Sequence, residues 1–436
     1  MAAALLAVSG VAAPAAAAGA AGDPAGTQLW ASRYNGPAGG GDAASAIAVS
    51  RNGRMVYVTG RSWGGASGWD YATIAYSAAT GAQRWSARYA GPGNSNETAE
   101  AVAVSPHGPV VVTGDSGHDI ATVAYSPVTG KQLWVRRYLG PGYRSVAMSV
   151  GVSPDGATVY VAGGSNLTAS PSEPVAWAFT TIAYDAASGT VRWNARYAPH
   201  GGAHYSSREE FWAHAVAVSP DGGTVYVTGT STAAGGDGPL TATVAYAAAT
   251  GARDWVSKEC CVHDDSMALS QDGAVLFTTS ISEFGPLVAY DAATGAKLWV
   301  SDQVNSGSPV VAVEPDGKRV AITGTFVEDF SAATGAKAWQ VTPAGTGVGI
   351  AYAPGGSALY VIGSAGDGGG GASYVTQAYK PATGAPLWER RYAIVPGGAS
   401  TASAIAVDPV TGTVFVTGGS AGAGTREDYA TVAYRG

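Results

Sequence analysis

Asp70–Trp85 reads DYATIAYSAATGAQRW. The phrase returns as IATVAYSPVTGKQLW from Ile120 and as LVAYDAATGAKLW from Leu287. Two further segments precede it in fixed order. One is a small-residue run ending in a turn: AIAVSRNG at Ala46, AVAVSPHG at Ala101, AVAVSPDG at Ala215 and AIAVDPVTG at Ala404. The other is VYVTG at Val56 and Val225, and VFVTG at Val414. A tail of the form W-x-x-R-Y-x-G-P often closes the unit. Self-similarity of this period marks a repeat architecture.

Each unit supplies four strands. Apolar residues in IAVS, VYVTG and TIAY alternate with period two, in runs too short for helices. S-P-D-G and A-T-G carry turn chemistry, with Pro at the first central position and Gly accepting positive φ. Ala and Val dominate the first strand, as expected where blades taper to a central channel. A large flat Trp in the fourth strand suits the gap between blades.

Counting gives the ring. Fourth-strand tryptophans are Trp30, Trp85, Trp134, Trp193, Trp255, Trp299, Trp339 and Trp388, and first strands begin near Ala46, Ala101, Val146, Ala215, Met267, Val310, Gly349 and Ala404. The chain ends at DYATVAYRG, lacking a fourth strand, while TQLWASRY around Trp30 belongs to no complete unit. The two fragments make one blade. The expected fold is an all-β, eight-bladed propeller of four-stranded antiparallel blades, closed by its N-terminal strand so that no sheet edge is left open between the ends. Seven blades is the runner-up, because in the sixth unit (Val310 to Trp339) AYDAATG has become DFSAATG. Trp63, Trp69, Trp177 and Trp212 fall outside the motif and are expected in loops.

Composition agrees. Charged residues are only 13% of the 436, while 63 Gly and 23 Pro separate the short runs. Net charge is −7 with no basic stripe, which argues against nucleic acid. Ala2 to Ala13 and the following Ala-rich stretch resemble a secretory signal over residues 1–21, although no basic residue precedes Arg33. The run is too short to span a membrane. The expectation is a secreted bacterial protein with one propeller domain over residues 27–436, monomeric, without a membrane span.

AYDAATGAKLW (Ala289 to Trp299) resembles the tryptophan-docking repeat of quinoprotein-like (PQQ-like) propellers, A-x-D-x-x-T-G-x-x-x-W. IAVDPVTGTVFVTGGS…DYATVAY is similar to β-propeller repeats of secreted and cell-surface bacterial proteins. The resemblance spans Trp30 to Tyr434 and implies architecture far more than activity. Quinone-dependent members imply a carboxylate base, a calcium site and often adjacent cysteines. Cys260-Cys261 is adjacent but does not match that position, and no stretch aligns with quinone or calcium ligands, so no cofactor or metal is expected.

Strand order puts S-P-D-G and A-T-G on one rim and the variable connections on the other, where binding usually sits. Gly163–Ala178 and Ala198–Ala213 are the longest candidates. Ligand-binding candidates are His118, Asp119, His204, His214, Asp70 and Asp428. Histidine titrates nearest neutrality, and the three aspartates hold equivalent positions in neighbouring blades. Each has a plain alternative: a repeated Asp at a strand start is usually a cap, and a loop His is usually solvated. Asn96 and Asn166 head glycosylation sequons. Three readings follow: a binding or scaffold module for a protein, glycan or small-molecule ligand; a hydrolase or lyase using carboxylates and histidines at the channel mouth; and a quinone-dependent oxidoreductase.

Overall fold

The computed structural model describes residues 24–93, 95–168, 177–198, 212–232, 239–260, 264–280, 287–301, 309–366, 370–422 and 424–436. They form eight four-stranded antiparallel sheets, and the one helical element among them is a 3-10 turn at Gly65–Ser67. Blade 1 runs inner to outer through Asp42–Val49, Met55–Trp63, Trp69–Ser77 and Gln83–Tyr89. Blades 2 to 7 repeat that order along the chain. Each inner strand touches the next, and the inner strands of blades 8 and 1 touch, so the ring is complete. The fold is an eight-bladed β-propeller.

Blade 8 takes Ser400–Val407, Val414–Ala421 and Glu427–Tyr434 from the C-terminus and Gln28–Tyr34 from the N-terminus. The outer strand pairs Trp30 with Ala433 and Tyr34 with Tyr429. The closing turn is also shared. In blade 1, Ser77 N–H donates to Ala82 O and Gly81 N–H to Ser77 O; across the two ends, Arg435 N–H donates to Thr27 O and Gly26 N–H to Arg435 O. Pro24–Thr27 thus rebuilds the A-T-G turn from the other end of the chain.

One contact explains both the Trp and the Gly of the motif. Each outer-strand indole lies on the turn glycine of the following blade, from Trp30 on Gly81 round to Trp388 on Gly26. A Cβ on those eight glycines would stand 2.5–2.8 Å from the ring, and each glycine has positive φ (68–79°). Only glycine meets both demands. Trp30 Nε1 donates to Ala78 O at 2.8 Å and Trp134 Nε1 to Ala186 O at 2.9 Å, and five other motif indoles make the same bond. A buried donor left unpaired would cost about 1–3 kcal/mol.

Burial divides the ring. Trp30, Trp85, Trp134 and Trp193 are buried, whereas Trp255, Trp299, Trp339 and Trp388 are half-buried. Trp63, Trp69 and Trp177 end or begin strands that run further towards the variable rim than the motif suggests, so the loop expectation fails for them. Trp63 packs edge-on against Trp69, and Trp177 against Trp212.

Candidate functional site

The two rims differ in construction. On the short-turn rim the S-P-D-G turns close on themselves: Ser153 Oγ donates to Asp155 Oδ1, which also accepts Ala157 N–H at 2.9 Å. Those bonds hold the Asp155 carboxyl below its usual range. The connections that vary between blades lie on the opposite rim.

Asp70, Asp119 and Asp428 turn out to be equivalent halves of ion pairs within their blades. Each receives the Arg of W-x-x-R-Y from the outer strand: Arg88 at 2.7 Å, Arg137 at 2.7 Å and Arg33 at 2.6 Å. Arg88 also donates to the Ser62 hydroxyl and to Tyr34 Oη, and Arg137 to Ser116 Oγ (2.8 Å) and Tyr89 Oη (3.4 Å). The tyrosines belong to the preceding blade, so Arg88 and Arg137 each stitch a seam. Asp70 and Asp428 are buried, and Ser67 and Thr425 hydroxyls donate to them. Each of the three aspartates is thus engaged by an arginine of its own blade.

The glycine of R-Y-x-G-P has a partner as well. Gly36 N–H donates to Asp42 Oδ2 at 2.7 Å, Gly140 N–H to Ser145 Oγ at 2.9 Å, and Gly91 N–H to the Glu97 carboxylate. Burial raises the Asp42 and Glu97 carboxyls. The acceptor opens the inner strand each time, so the connection between blades is clasped at a fixed point.

Of the histidines, His118 and His214 fall on different blades. His118 is exposed, and its carbonyl accepts Ser145 N–H at 2.8 Å. His204 lies outside the described residues, as do His200, His263 and Arg208–Glu210. His214 is half-buried between buried Ala213 and Ala215. Asp119 therefore stands beside Arg137 with His118 at the neighbouring rim position, and His214 lies two blades away on the inner strand.

His214 belongs to a set that the repeat hides. In seven of the eight blades the inner strand carries a one-residue bulge at the same level: Ser45, Glu100, Met148, His214, Asp265, Val348 and Ser403. Flanking residues such as Ala44 and Ala46, or Ala99 and Ala101, are buried, while Ser45, Glu100, His214, Val348 and Ser403 are half-exposed. A bulge re-aims a side chain out of the ladder. In those seven blades it sets one variable position out of the ladder near the start of the inner strand.

Glu100 is a perturbed member of the set. Burial, with the charge of Asp115 on the adjoining strand, pushes its carboxyl up to about 7 against the opposing pull of Arg61. Asp115 rises to about 6 through burial, although it accepts Ala147 N–H at 3.1 Å and Arg144 stands 4.0 Å away. Arg61 stacks 4.7 Å over the Trp69 ring. Two carboxylates with unequal, raised affinities for protons are a recurrent feature of functional sites. Motif reading passed over Glu100 and Asp115. The signal was departure from the repeat, where Ser45 and Arg61 hold the same places in blade 1.

Of the two sequons, Asn96 is exposed. Asn166 is fully buried, with its side-chain oxygen accepting from Thr168 N–H and Oγ1, and is closed to a glycan.

The comparisons with known proteins agree with this geometry. Among solved structures, the chain is similar to BamB from Moraxella catarrhalis (TM-score 0.53, 17% identity, 94% of this chain and 99% of that one). It is likewise similar to Sqt1 from Chaetomium thermophilum (TM-score 0.62, 14% identity, 94% and 98%). At such identities the likeness shows the fold alone. No curated protein matches the sequence. The family model described as outer membrane protein assembly factor BamB matches residues 17–301 and 240–433. With nearly the whole propeller covered, the chain belongs to that PQQ-like, BamB-type β-propeller family.

Proposed function

We propose that the chain is a secreted binding module that presents its variable-loop rim to a protein partner. The observation behind this reading is the contrast between the rims. The short-turn rim repeats nearly identical self-bonded turns, whereas the other concentrates the aromatic pairs, the bulge residues and the Glu100 and Asp115 carboxyl groups. Aromatic and arginine side chains such as Trp63, Trp69 and Arg61 are the types enriched at interface hot spots. Family membership supports a scaffold role, since the matching description is that of an assembly factor.

A photo-crosslinking residue placed at His118 tests it, with Val128 on the short-turn rim as control (80% exposed). One defined protein adduct from His118 and none from Val128 is expected in the source cells. Equal labelling from both rims would refute the assignment. Cell fractionation with sequencing of the mature N-terminus tests export.

The Glu100–Asp115 pair favours a second reading, general acid–base hydrolysis at the channel mouth. It requires a turnover on glycoside or ester substrates that falls by about 10²–10⁴-fold in Glu100→Gln. Activity indifferent to that change removes it.

A further inference from the structure

The short-turn rim is uneven in charge. In blades 3 to 6 its turns carry exposed Asp155, Asp221, Asp254, Asp272 and Asp316. Cations beside them are paired: Arg192 with Asp185 at 2.8 Å, Lys297 with Glu259 at 2.7 Å and Lys318 with Asp316 at 2.7 Å. Blades 7, 8, 1 and 2, which are contiguous round the ring, are built otherwise. The Asp of S-P-D-G gives way to Gly355, Asn52 and His107 in blades 7, 1 and 2. The Asp of A-Y-D becomes Lys380, Arg435, Ser77 and Ser126. Asp408 is the one acidic residue of these turns among the described residues. It is buried and accepts Val410 N–H at 2.8 Å and Thr411 Oγ1 at 2.7 Å.

What remains on this half-rim is basic and apolar. Arg51, Arg54, Arg84, Lys131 and Lys380 are exposed, and none has an ion pair among the described residues. Beside them Val128 is 80% exposed, Val410 54%, Leu133 50% and Leu387 45%. Leu133 and Leu387 precede the motif Trp, where blade 4 has Asp254. Glu389, further along the blade 7 outer strand, is paired with Arg391 at 3.1 Å. Each blade adds a few charges before a whole unit of chain intervenes, so no basic run shows in the sequence.

We propose that the half-rim of blades 7, 8, 1 and 2 docks peripherally on an anionic lipid bilayer. Similar short turns end these blades at one level, which suits a planar partner. Unpaired Arg and Lys meet the headgroup phosphates, and each charge near such a surface gives about a fivefold gain in partitioning. Val128, Leu133, Leu387 and Val410 enter the headgroup boundary, as the apolar residues of interfacial segments do. A soluble polyanion would use the charges and leave those apolar side chains in water. Docked this way, the chain points its variable rim into solvent. The two rims are separate proposals and fail separately.

Co-sedimentation of the full chain with vesicles tests the docking, using phosphatidylcholine with phosphatidylglycerol against phosphatidylcholine alone. Binding is expected on the anionic vesicles only, and is lost in about 1 M salt, where charges are screened beyond about 3 Å. The quadruple variant Arg51→Glu, Arg54→Glu, Arg84→Glu and Lys131→Glu should bind at least about a hundredfold more weakly. Its melting temperature should stay level, because all four side chains are exposed. Arg253→Glu with Lys318→Glu, on the other half-rim, should change binding less than about threefold. On the unaltered protein, vesicles should slow hydrogen exchange in turns 51–54, 80–84 and 127–131 and leave turns 154–157 and 220–223 unchanged. Equal binding to both vesicle types would overturn the proposal, as would an undiminished quadruple variant or equal protection of all turns. Binding to heparin without binding to vesicles would also overturn it, by making the patch a site for soluble polyanions.

Discussion

Blades 1 and 6 are built from the same repeat and differ in how much of it survives. Blade 1 keeps strands of seven to nine residues, and blade 6 has strands of four or five. Both retain the Trp, the turn glycine and the indole bond. Blade 6 lacks the R-Y tail, and with it the Arg–Asp pair, the Tyr–Arg stitch and the tilted aromatic contact that Tyr71–Tyr89 makes in blade 1. The two halves of the motif therefore have separate tasks. Indole on glycine spaces the blades, while R-Y extends the sheet towards the variable rim and ties it there. Where the tail is lost, the strands end early.

The largest effect should come from opening the ring. Deleting residues 1–34 removes the outer strand of blade 8 and half of its closing turn. Denaturant titration should then show loss of the cooperative transition, or a midpoint far below that of the full chain. A truncated chain as stable as the parent would remove the closure argument.

Next come the indoles. Trp134→Ala should cost about 3–5 kcal/mol, the range for a buried aromatic truncation. Trp339→Ala, from the half-buried group, should cost clearly less. Equal losses by chemical unfolding would mean that the longer blades gain nothing from their tighter seams.

Arg137→Ala is expected to cost about 2–3 kcal/mol, because it removes the partner of Asp119 together with bonds to Ser116 and Tyr89. Tyr89→Phe should cost about 1 kcal/mol or less, since only the longest of those bonds is lost. A Phe variant as damaged as the Ala variant would place the stitch in the tyrosine rather than in the ion pair.

The ring, its blade number and its closure were legible because turns and packing residues recur in a countable pattern. Trp30 without a preceding unit and DYATVAYRG without a following Trp strand pointed to each other. The closing turn at Pro24–Thr27 was less visible, since PAGT does not read as A-T-G until Gly26 is seen under Trp388. The candidate site was legible only in part. Asp70, Asp119 and Asp428 stood out through repetition, and repetition is what a structural ion pair produces. Glu100, Asp115 and Asp329, whose carboxyl groups burial raises, break the pattern, and a strand-level reading has no term for a bulge that aims one residue out of the ladder. His214 was selected as one of a loop histidine group, yet its place follows from the bulge ring.

The central claim is that the seam made across the two chain ends is the same object as the internal ones. Gly26→Ala and Gly130→Ala place the same methyl against Trp388 and Trp85 at positions of φ 79° and 69°. Gly39→Ala, with φ 61° and nothing within 4 Å, supplies the backbone cost alone. Measured by urea unfolding, Gly39→Ala should lose about 1 kcal/mol, and Gly26→Ala and Gly130→Ala about 2–3 kcal/mol each, alike within about 0.5 kcal/mol. Gly26→Ala behaving like Gly39→Ala while Gly130→Ala is strongly destabilised would contradict the account, because the terminal turn would then not carry the indole.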